Sequence, residues 1–379
     1  MNLDIVIFGL SITSSWGNGH ASTYRALAKA LAARGHAVTF LERDKPWYRD
    51  NRDVDELPYA RVELYQTLAE VPRRFGEQVR DADLVILGSY VPDGAVLADW
   101  ITSRAKGVTA FYDIDTPVTL RRLDSGESDY LRAATIPRFS LYLSFTGGPT
   151  LALIEDLYGS PRARALHCAV DPQMHAPVAA DPAESPISIP TWELGYLGTY
   201  SEDRQAALER LLIEPARRLP TRRFVVAGAQ YPADIGWPAN VDRIEHLAPE
   251  RHAAFYCAQR YTLNLTRRDM AVAGFSPSVR LFEAAACGTP VISDRWPGIE
   301  TFFKLGRELL IADTTENVVE AICELPEDRR RELGVAARQR VLEAHTAAHR
   351  AIQLEGYHRE ALAGRAACRK LDDGVEAVA

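Results

Sequence analysis

The sequence predicts an α/β chain: two Rossmann-like parallel-sheet domains facing each other across a deep cleft, with a helical C-terminus. Three observations predict it. Short apolar runs alternate with stretches whose apolar residues recur every three or four positions, the pattern of a helix-covered parallel sheet. A proline-dense stretch interrupts that alternation, and beyond it the alternation restarts.

The elements follow in order. Asp4-Ile5-Val6-Ile7-Phe8-Gly9 is a continuous apolar run, as expected of a strand buried on both faces. A polar loop from Ser11 to Gly19 leads into a helix over about 21–34, with Tyr24, Leu27, Ala28 and Leu31 on one face. Gly35 suits the residue after its end. Residues 37–41 give the second strand. Further strands are expected at 83–88, 108–112, 141–145 and 163–170, with a helix at 94–105. Between Asp171 and Pro190 lie Pro172, Pro177, Pro182, Pro186 and Pro190, a density that neither a helix interior nor a central strand accepts. In the second half, strands are expected at 194–197, 223–228, 261–265 and 290–293. One helix starts at Ser201 and is ended or kinked by Pro215, and another covers about 278–286 and is closed by Gly288. After Asp313 the chain is mostly helical, and its last fifteen residues are expected to fray. The domains are therefore placed at 1–172 and 191–345, with a linker at 173–190. Residues 346–379 form a helix and tail that cross back to the first domain.

Composition narrows the function. Apolar residues at 47% and charged residues at 25% are those of an ordinary globular chain. The balance of 44 basic against 51 acidic residues gives −7, which excludes general attraction to nucleic acid as the main theme. No apolar stretch approaches the ~18 residues of a membrane span, and the first residues lack a signal peptide's basic region, so a cytoplasmic protein is expected. Cys168, Cys257, Cys287, Cys323 and Cys368 are odd in number and show no C-x-x-C spacing, which speaks against a disulfide framework or zinc cage. The nine histidines show no metal-binding pair, so no metal is assigned.

The most informative stretch runs from Ser276 to Asp294. Pro277 suits a first helical position and Ser276 its N-cap. The amides of such a helix start form a phosphate seat, Arg280 adds positive charge one turn in, and no acid precedes Glu283. A carboxylate at Glu283 accepts two hydroxyl hydrogen bonds, as a ribose diol requires. A second seat is conceivable at Gly198-Thr199, with Arg204 reaching in, although Glu202 and Asp203 already satisfy that helix start. In the first half, Gly17-Asn18-Gly19 forms a glycine-containing loop before a helix. His20 there is suited to serve as base for an acceptor hydroxyl, with helix capping or packing as the alternative. Asp113 and Asp115 follow a strand. Alternation lets only one of them point into the cleft, and Asp115 is favoured because Pro117 turns the chain there.

The segment Phe282-Glu283-Ala284-x-Ala286-Cys287-Gly288-Thr289-Pro290-Val291 resembles the donor-nucleotide motif of GT-B glycosyltransferases of the glycosyltransferase group 1 type. The run from Tyr261 to Asp269 followed by Ser276-Pro277 resembles the branch related to spore-maturation CgeB proteins. Val170-Asp171-Pro172 resembles the interdomain linker of that superfamily, and Tyr196-Leu197-Gly198-Thr199-Tyr200 the opening of its second domain.

The resemblance implies the GT-B architecture and a metal-independent, retaining transfer of a sugar from a nucleoside diphosphate sugar to a hydroxyl acceptor. That acceptor is a glycan, a lipid-linked sugar or a small molecule, and no cofactor is needed beyond the donor. The resemblance places Glu283 on the ribose. It places the amides of Ser276, Ser278 and Val279 on the diphosphate, with Arg280 or Arg268 and neighbouring Arg267, puts His246 on the donor side, and turns the acceptor-side loop Gly17-Asn18-Gly19 toward the acceptor or the donor phosphates. One departure stands out: retaining relatives often carry a second glutamate seven residues earlier, where this chain has Ser276.

Other classes share parts of this pattern. A sugar-nucleotide 2-epimerase shares the two-domain design, and a turnover-deficient nucleotide-sugar-binding subunit would explain Ser276. A nicotinamide oxidoreductase is suggested by Gly17-x-Gly19 and by Glu42 at the end of the second strand, but the glycines come too late after the first. Arg73-Arg74, Arg121-Arg122 and Arg162 with Arg164 read as solvated faces or as weak peripheral membrane contact. Trp47, Tyr48, Tyr59 and Tyr65 read as an acceptor surface or as packing of a long loop.

Overall fold

The computed structural model describes residues 2–17, 19–178 and 191–376, with side chains through residue 365. The chain divides into two units, Met1–His167 with Ala347–Ala379, and Cys168–Thr346.

The first unit is built on a seven-stranded sheet. Its strands are β1 (Asp4–Gly9), β2 (Ala37–Arg43), β3 (Arg61–Tyr65), β4 (Leu84–Gly88), β5 (Val108–Asp113), β6 (Leu141–Ser144) and β7 (Ala163–Ala165), in the order β3-β2-β1-β4-β5-β6-β7. Every pairing is parallel, with Ile5 level with Val38 on one side and Leu84 on the other. This is the doubly wound order, with its switch point between β1 and β4. Residues 5–9 are all buried, as a central strand covered on both faces requires. The core gathers Val6, Phe8, Leu41, Val85, Leu87, Phe111 and Tyr142. The helix Gly19–Ala33 ends at Gly35, whose φ of 89° lets its amide reach the Ala32 carbonyl.

The second unit repeats the plan with six parallel strands. They are β8 (Trp192–Leu197), β9 (Phe224–Ala227), β10 (Val241–Ile244), β11 (Gln259–Asn264), β12 (Val291–Ser293) and β13 (Leu310–Ile311), in the order β10-β9-β8-β11-β12-β13. Its switch point lies between β8 and β11. Leu194, Tyr196, Leu212, Phe224, Val226, Tyr261, Leu263 and Ile292 form its core.

Several expectations need correction. The strand expected over 163–170 stops at Ala165, and Val170 instead bridges Thr346. Tyr65 belongs to β3 and is fully buried, so it is core and not acceptor surface. Pro215 does not end its helix. Glu202–Leu208 passes into a π-helical stretch, Glu209–Ile213, before Glu214–Arg218, and the widened turn accommodates the missing amide. The C-terminal helix runs from Ala347 to Glu376, well into the stretch expected to fray. Part of the expected linker, residues 173–178, is ordered within the second unit. The rest of that linker, 179–190, lies outside the described residues, as does Asn18. Among the described residues, no helix is long and apolar enough to cross a membrane.

Candidate functional site

In the second unit the helix Val279–Ala286 follows β11 and starts beside the switch point. The N-cap is Ser278, two residues later than expected, with Ser276 and Pro277 lying before the helix. The reason is local. Ser278 is extended, and its hydroxyl does not cap the helix but donates to Asn264 Oδ1 at 2.6 Å. The Leu281 amide turns back to the Ser278 carbonyl at 3.2 Å, which among the described residues leaves the Val279 and Arg280 amides to another acceptor, and no acid stands in the first turn.

Arg280 lies under this helix start rather than reaching out of it. Its Nε donates to the Leu197 carbonyl, its Nη1 donates to Asn264 Oδ1 at 3.0 Å, and its guanidinium stacks 4.6 Å from the Tyr196 ring centroid. The fork therefore ties β8 to β11. Gly198 is required there: a Cβ would lie 2.6 Å from the Tyr196 hydroxyl and 2.9 Å from Arg280 Nη2.

Glu283 is 3% exposed, one turn further along. Its Oε2 accepts from the Tyr256 hydroxyl at 2.9 Å, while His175 Nε2 stands 3.6 Å from Oε1 and His252 Nδ1 3.8 Å from Oε2. Burial pushes this carboxyl's pKa up. The imidazoles of His175 and His252, the Tyr256 hydroxyl and Arg280 outweigh that and hold it below its ordinary value.

The remaining donor-side residues scatter more widely. Arg204 turns back on its own loop, Nη2 donating to the Thr199 carbonyl at 2.6 Å. Arg268 is exposed, and its amide donates to Asp203 Oδ2 at 2.9 Å. Arg267 is half-buried near Asp203, whose pKa it helps to lower against the effect of burial. His246 is exposed on the loop after β10. The structure thus gathers Gly198, Ser278, Val279, Arg280 and Glu283 around one sheet edge. Arg268 and His246 sit on exposed surface instead.

In the first unit the two aspartates separate as alternation requires. Asp113 ends β5 fully buried, accepting from the Tyr142 hydroxyl and from Thr119 Oγ1 at 2.7 Å. Burial pushes its pKa up to about 7. Asp115 is half-buried at the N-cap of the helix Thr116–Ser125 and accepts from the Tyr90 hydroxyl at 3.1 Å. Tyr90 holds φ of 62°, a strained value for a bulky residue of the kind that collects at functional sites. The ring of His20, on the first turn of Gly19–Ala33, lies 5.5 Å from that of Tyr90. Burial lowers the His20 pKa and the Asp115 charge opposes this. Gly17 has φ of 59°, and Gly19 opens the helix. Gly148 and Pro149 simply begin the helix Pro149–Asp156.

Glu42 overturns the nicotinamide alternative. It is fully buried and accepts four hydrogen bonds from the loop after β1: Ser11 Oγ at 2.9 Å, the Ile12 amide at 2.7 Å, the Thr13 amide at 3.1 Å and Thr13 Oγ1 at 2.7 Å. Its acceptor capacity is filled by its own chain, which leaves nothing for a ribose.

Sequence reasoning missed His175, His252, Tyr256, Asn264 and Tyr90. Asn264 follows the strand pattern and was visible as a polar residue closing an apolar run. His175 lies in the proline-dense stretch, and only the fold brings it to Glu283.

Residues 204–356 match a protein-family model described as glycosyl transferase-like. No curated protein matches the chain. Among solved structures, a sucrose-phosphate synthase from Thermosynechococcus elongatus is similar at 16% identity and a TM-score of 0.68, covering 96% of this chain and 100% of that one. HepE of Anabaena, solved with UDP and glucose, is similar at 11% identity and a TM-score of 0.66, covering 94% and 99%. An alpha-glucosyltransferase solved with UDP is similar at 12% identity and a TM-score of 0.71, covering 94% and 100%. Two doubly wound units in this order give the chain the GT-B fold of these solved structures, and the glycosyl transferase-like family model matches its second half.

Proposed function

We propose that this protein transfers a sugar from a nucleoside diphosphate sugar, with UDP as the first nucleotide to test, to a hydroxyl acceptor. The chemical step needs no metal and retains the anomeric configuration. The observation that carries this reading is the helix start at Val279, where Ser278 is diverted to Asn264 and the Val279 and Arg280 amides are left to an outside anion.

As the bond between the sugar and the diphosphate breaks, negative charge grows on the phosphate oxygens. Amides at a helix N-terminus, backed by the positive end of its dipole, stabilise that charge without reorganising. The buried guanidinium of Arg280 adds positive charge beneath the same point. Glu283, held ionised, accepts from the ribose hydroxyls. In the first unit, Asp115 and His20 carry the acceptor proton. Asp113 is enclosed by Tyr142 and Thr119 and supports the strand end from within.

A thermal-shift panel of UDP, TDP, GDP, ADP and CMP tests the donor half, since a ligand that binds the folded state stabilises it by mass action. One nucleoside diphosphate is expected to raise the melting temperature, and a panel without effect would overturn the reading. Turnover is expected to survive EDTA, and collapse on chelation would show that the chemistry needs a metal. The anomeric configuration of the product, read by NMR, decides retention.

A further inference from the structure

Three ligand-type side chains converge in the second unit from distant parts of the sequence. His175 ends the turn that starts at Asp171, His252 opens the helix His252–Cys257, and Glu283 lies on Val279–Ala286. One donor atom from each lies within 4.8 Å of the others, and the His175 and His252 nitrogens stand 3.6 and 3.8 Å from the carboxylate. The polar accounting of this cluster is incomplete. His175 is 5% exposed, yet among the described residues neither of its ring nitrogens has a hydrogen-bond partner, and neither does His252 Nδ1. A neutral imidazole carries one N–H and one lone pair, and burying both unmatched is costly.

The tautomer of His252 is set from outside the cluster. Its Nε2 lies 3.2 Å from the Leu247 carbonyl, which only accepts, so Nε2 carries a proton and Nδ1 is the nitrogen left to face Glu283. Metal-bound histidines are oriented in just this way, the far nitrogen donating to a backbone carbonyl. The turn at His175 is likewise fixed: its amide donates to the Asp171 carbonyl, and Asp171 Oδ1 accepts from the Gln173 amide.

We infer that His175 Nε2, His252 Nδ1 and the Glu283 carboxylate form a binding site for a divalent transition cation of the zinc class. Zinc with bonds of about 2.0–2.1 Å places tetrahedral ligands ~3.3 Å apart, so the two measured edges need to close by only a few tenths of an ångström. Two imidazoles and one carboxylate suit zinc far better than magnesium or calcium, which take oxygen ligands. A fourth position is left for water. The consequence for activity rests on the proposed role of Glu283: a carboxylate engaged by zinc is withdrawn from the ribose, so zinc opposes the donor and takes no part in transfer.

The test uses the full chain, stripped with chelator and titrated calorimetrically with zinc chloride. One ion per chain is expected, with affinity falling roughly a hundredfold or more in His175→Ala and in His252→Ala. Circular dichroism and thermal unfolding check that both variants fold, and His175→Gln provides a second variant of closer size. Stoichiometric binding that none of the three variants weakens would assign the ion to other residues and overturn the site, as would no binding at all. A UDP titration with and without zinc tests the consequence. Zinc is expected to weaken UDP binding in the unaltered chain and to leave it unchanged in His175→Ala. Equal UDP affinity with and without zinc would overturn the antagonism while leaving the ion site standing. If UDP fails to bind at all, the donor reading falls while the zinc stoichiometry still decides the site.

Discussion

Glu42 in the first unit and Glu283 in the second are both buried glutamates in doubly wound sheets, yet they are built to opposite ends. Four donors from a single loop converge on Glu42, so its charge is spent on holding the chain after β1 in one conformation. Among the described residues Glu283 accepts a single side-chain hydrogen bond, from Tyr256, and two imidazoles stand off beyond hydrogen-bonding distance. A carboxylate has room for about four hydrogen bonds. Filled locally, it is a rivet. Left partly unfilled in a buried setting, it calls for a ligand. The aspartates of the first unit repeat the contrast on a smaller scale, Asp113 enclosed by Tyr142 and Thr119 and Asp115 at the rim beside Tyr90.

The largest expected effect breaks the comparison at the rim. Asp115→Asn should lower kcat by roughly 10²- to 10⁴-fold, the usual scale for a lost acid–base group. Binding of UDP, followed by thermal shift, should not change. A variant that keeps full kcat would move the proton-handling role away from Asp115. His20→Ala is the companion, and its effect should fall on kcat in the same way.

Next comes the rivet. Glu42→Gln keeps the size, and its NH2 turns to the Ser11 and Thr13 hydroxyls, which then accept, so the four contacts survive without the charge. Hydrogen bonds to charged groups contribute about 1.5–3 kcal/mol each against about 0.5–1.5 for neutral ones, so a loss of about 3 kcal/mol in unfolding free energy is expected from urea denaturation. Donor KM should be unchanged at temperatures where the variant is folded. If KM rose while stability held, Glu42 would be the ligand-binding carboxylate and the contrast would be reversed.

Glu283→Gln should do the converse. Losing a charged acceptor for the ribose costs about 1.5–3 kcal/mol, or roughly a 10- to 150-fold fall in kcat/KM for the donor, carried mainly by KM. Stability should change less than in Glu42→Gln, because a single hydrogen bond to the side chain is at stake. Equal donor kinetics in variant and parent would remove Glu283 from the site.

How much of this was legible beforehand differs between the units for a physical reason. Strands buried on both faces announce themselves as apolar runs, so β1, β4, β8, β9 and β11 were readable with small errors at their ends. Three of the four edge strands were not, β7 being the one that begins where a strand was expected. Arg61–Tyr65 and Val241–Ile244 carry charges on half-exposed faces, and Leu310–Ile311 is two residues long. Glu283 was legible because it is the one acid in an apolar helix. The two imidazoles facing it were not, because His175 sits in a proline-rich stretch with no periodicity and His252 on a six-residue helix. The diversion of Ser278 to Asn264 was equally hidden: a serine before a helix reads as its cap whichever way its hydroxyl turns.

The last expected effect concerns the enclosed aspartate, and its sign is what makes it useful. Burial raises the Asp113 pKa from 3.8 to about 7, with the hydrogen bonds from Tyr142 and Thr119 only partly opposing this. Between those two values the folded chain keeps a proton that the unfolded chain releases, so this group favours folding most below pH 3.8. Its contribution is lost as the pH rises toward 7. Asp113→Asn is neutral at every pH and removes that dependence. Urea midpoints for parent and variant at several values from pH 4 to pH 7.5 isolate the term, because all other titrating groups cancel in the difference. The parent should lose stability relative to the variant as the pH rises. If the two profiles run parallel, Asp113 is ionised in the folded chain throughout, and the network around it is then a charged one in search of a partner, as the cluster at Glu283 is, rather than a closed one like that at Glu42.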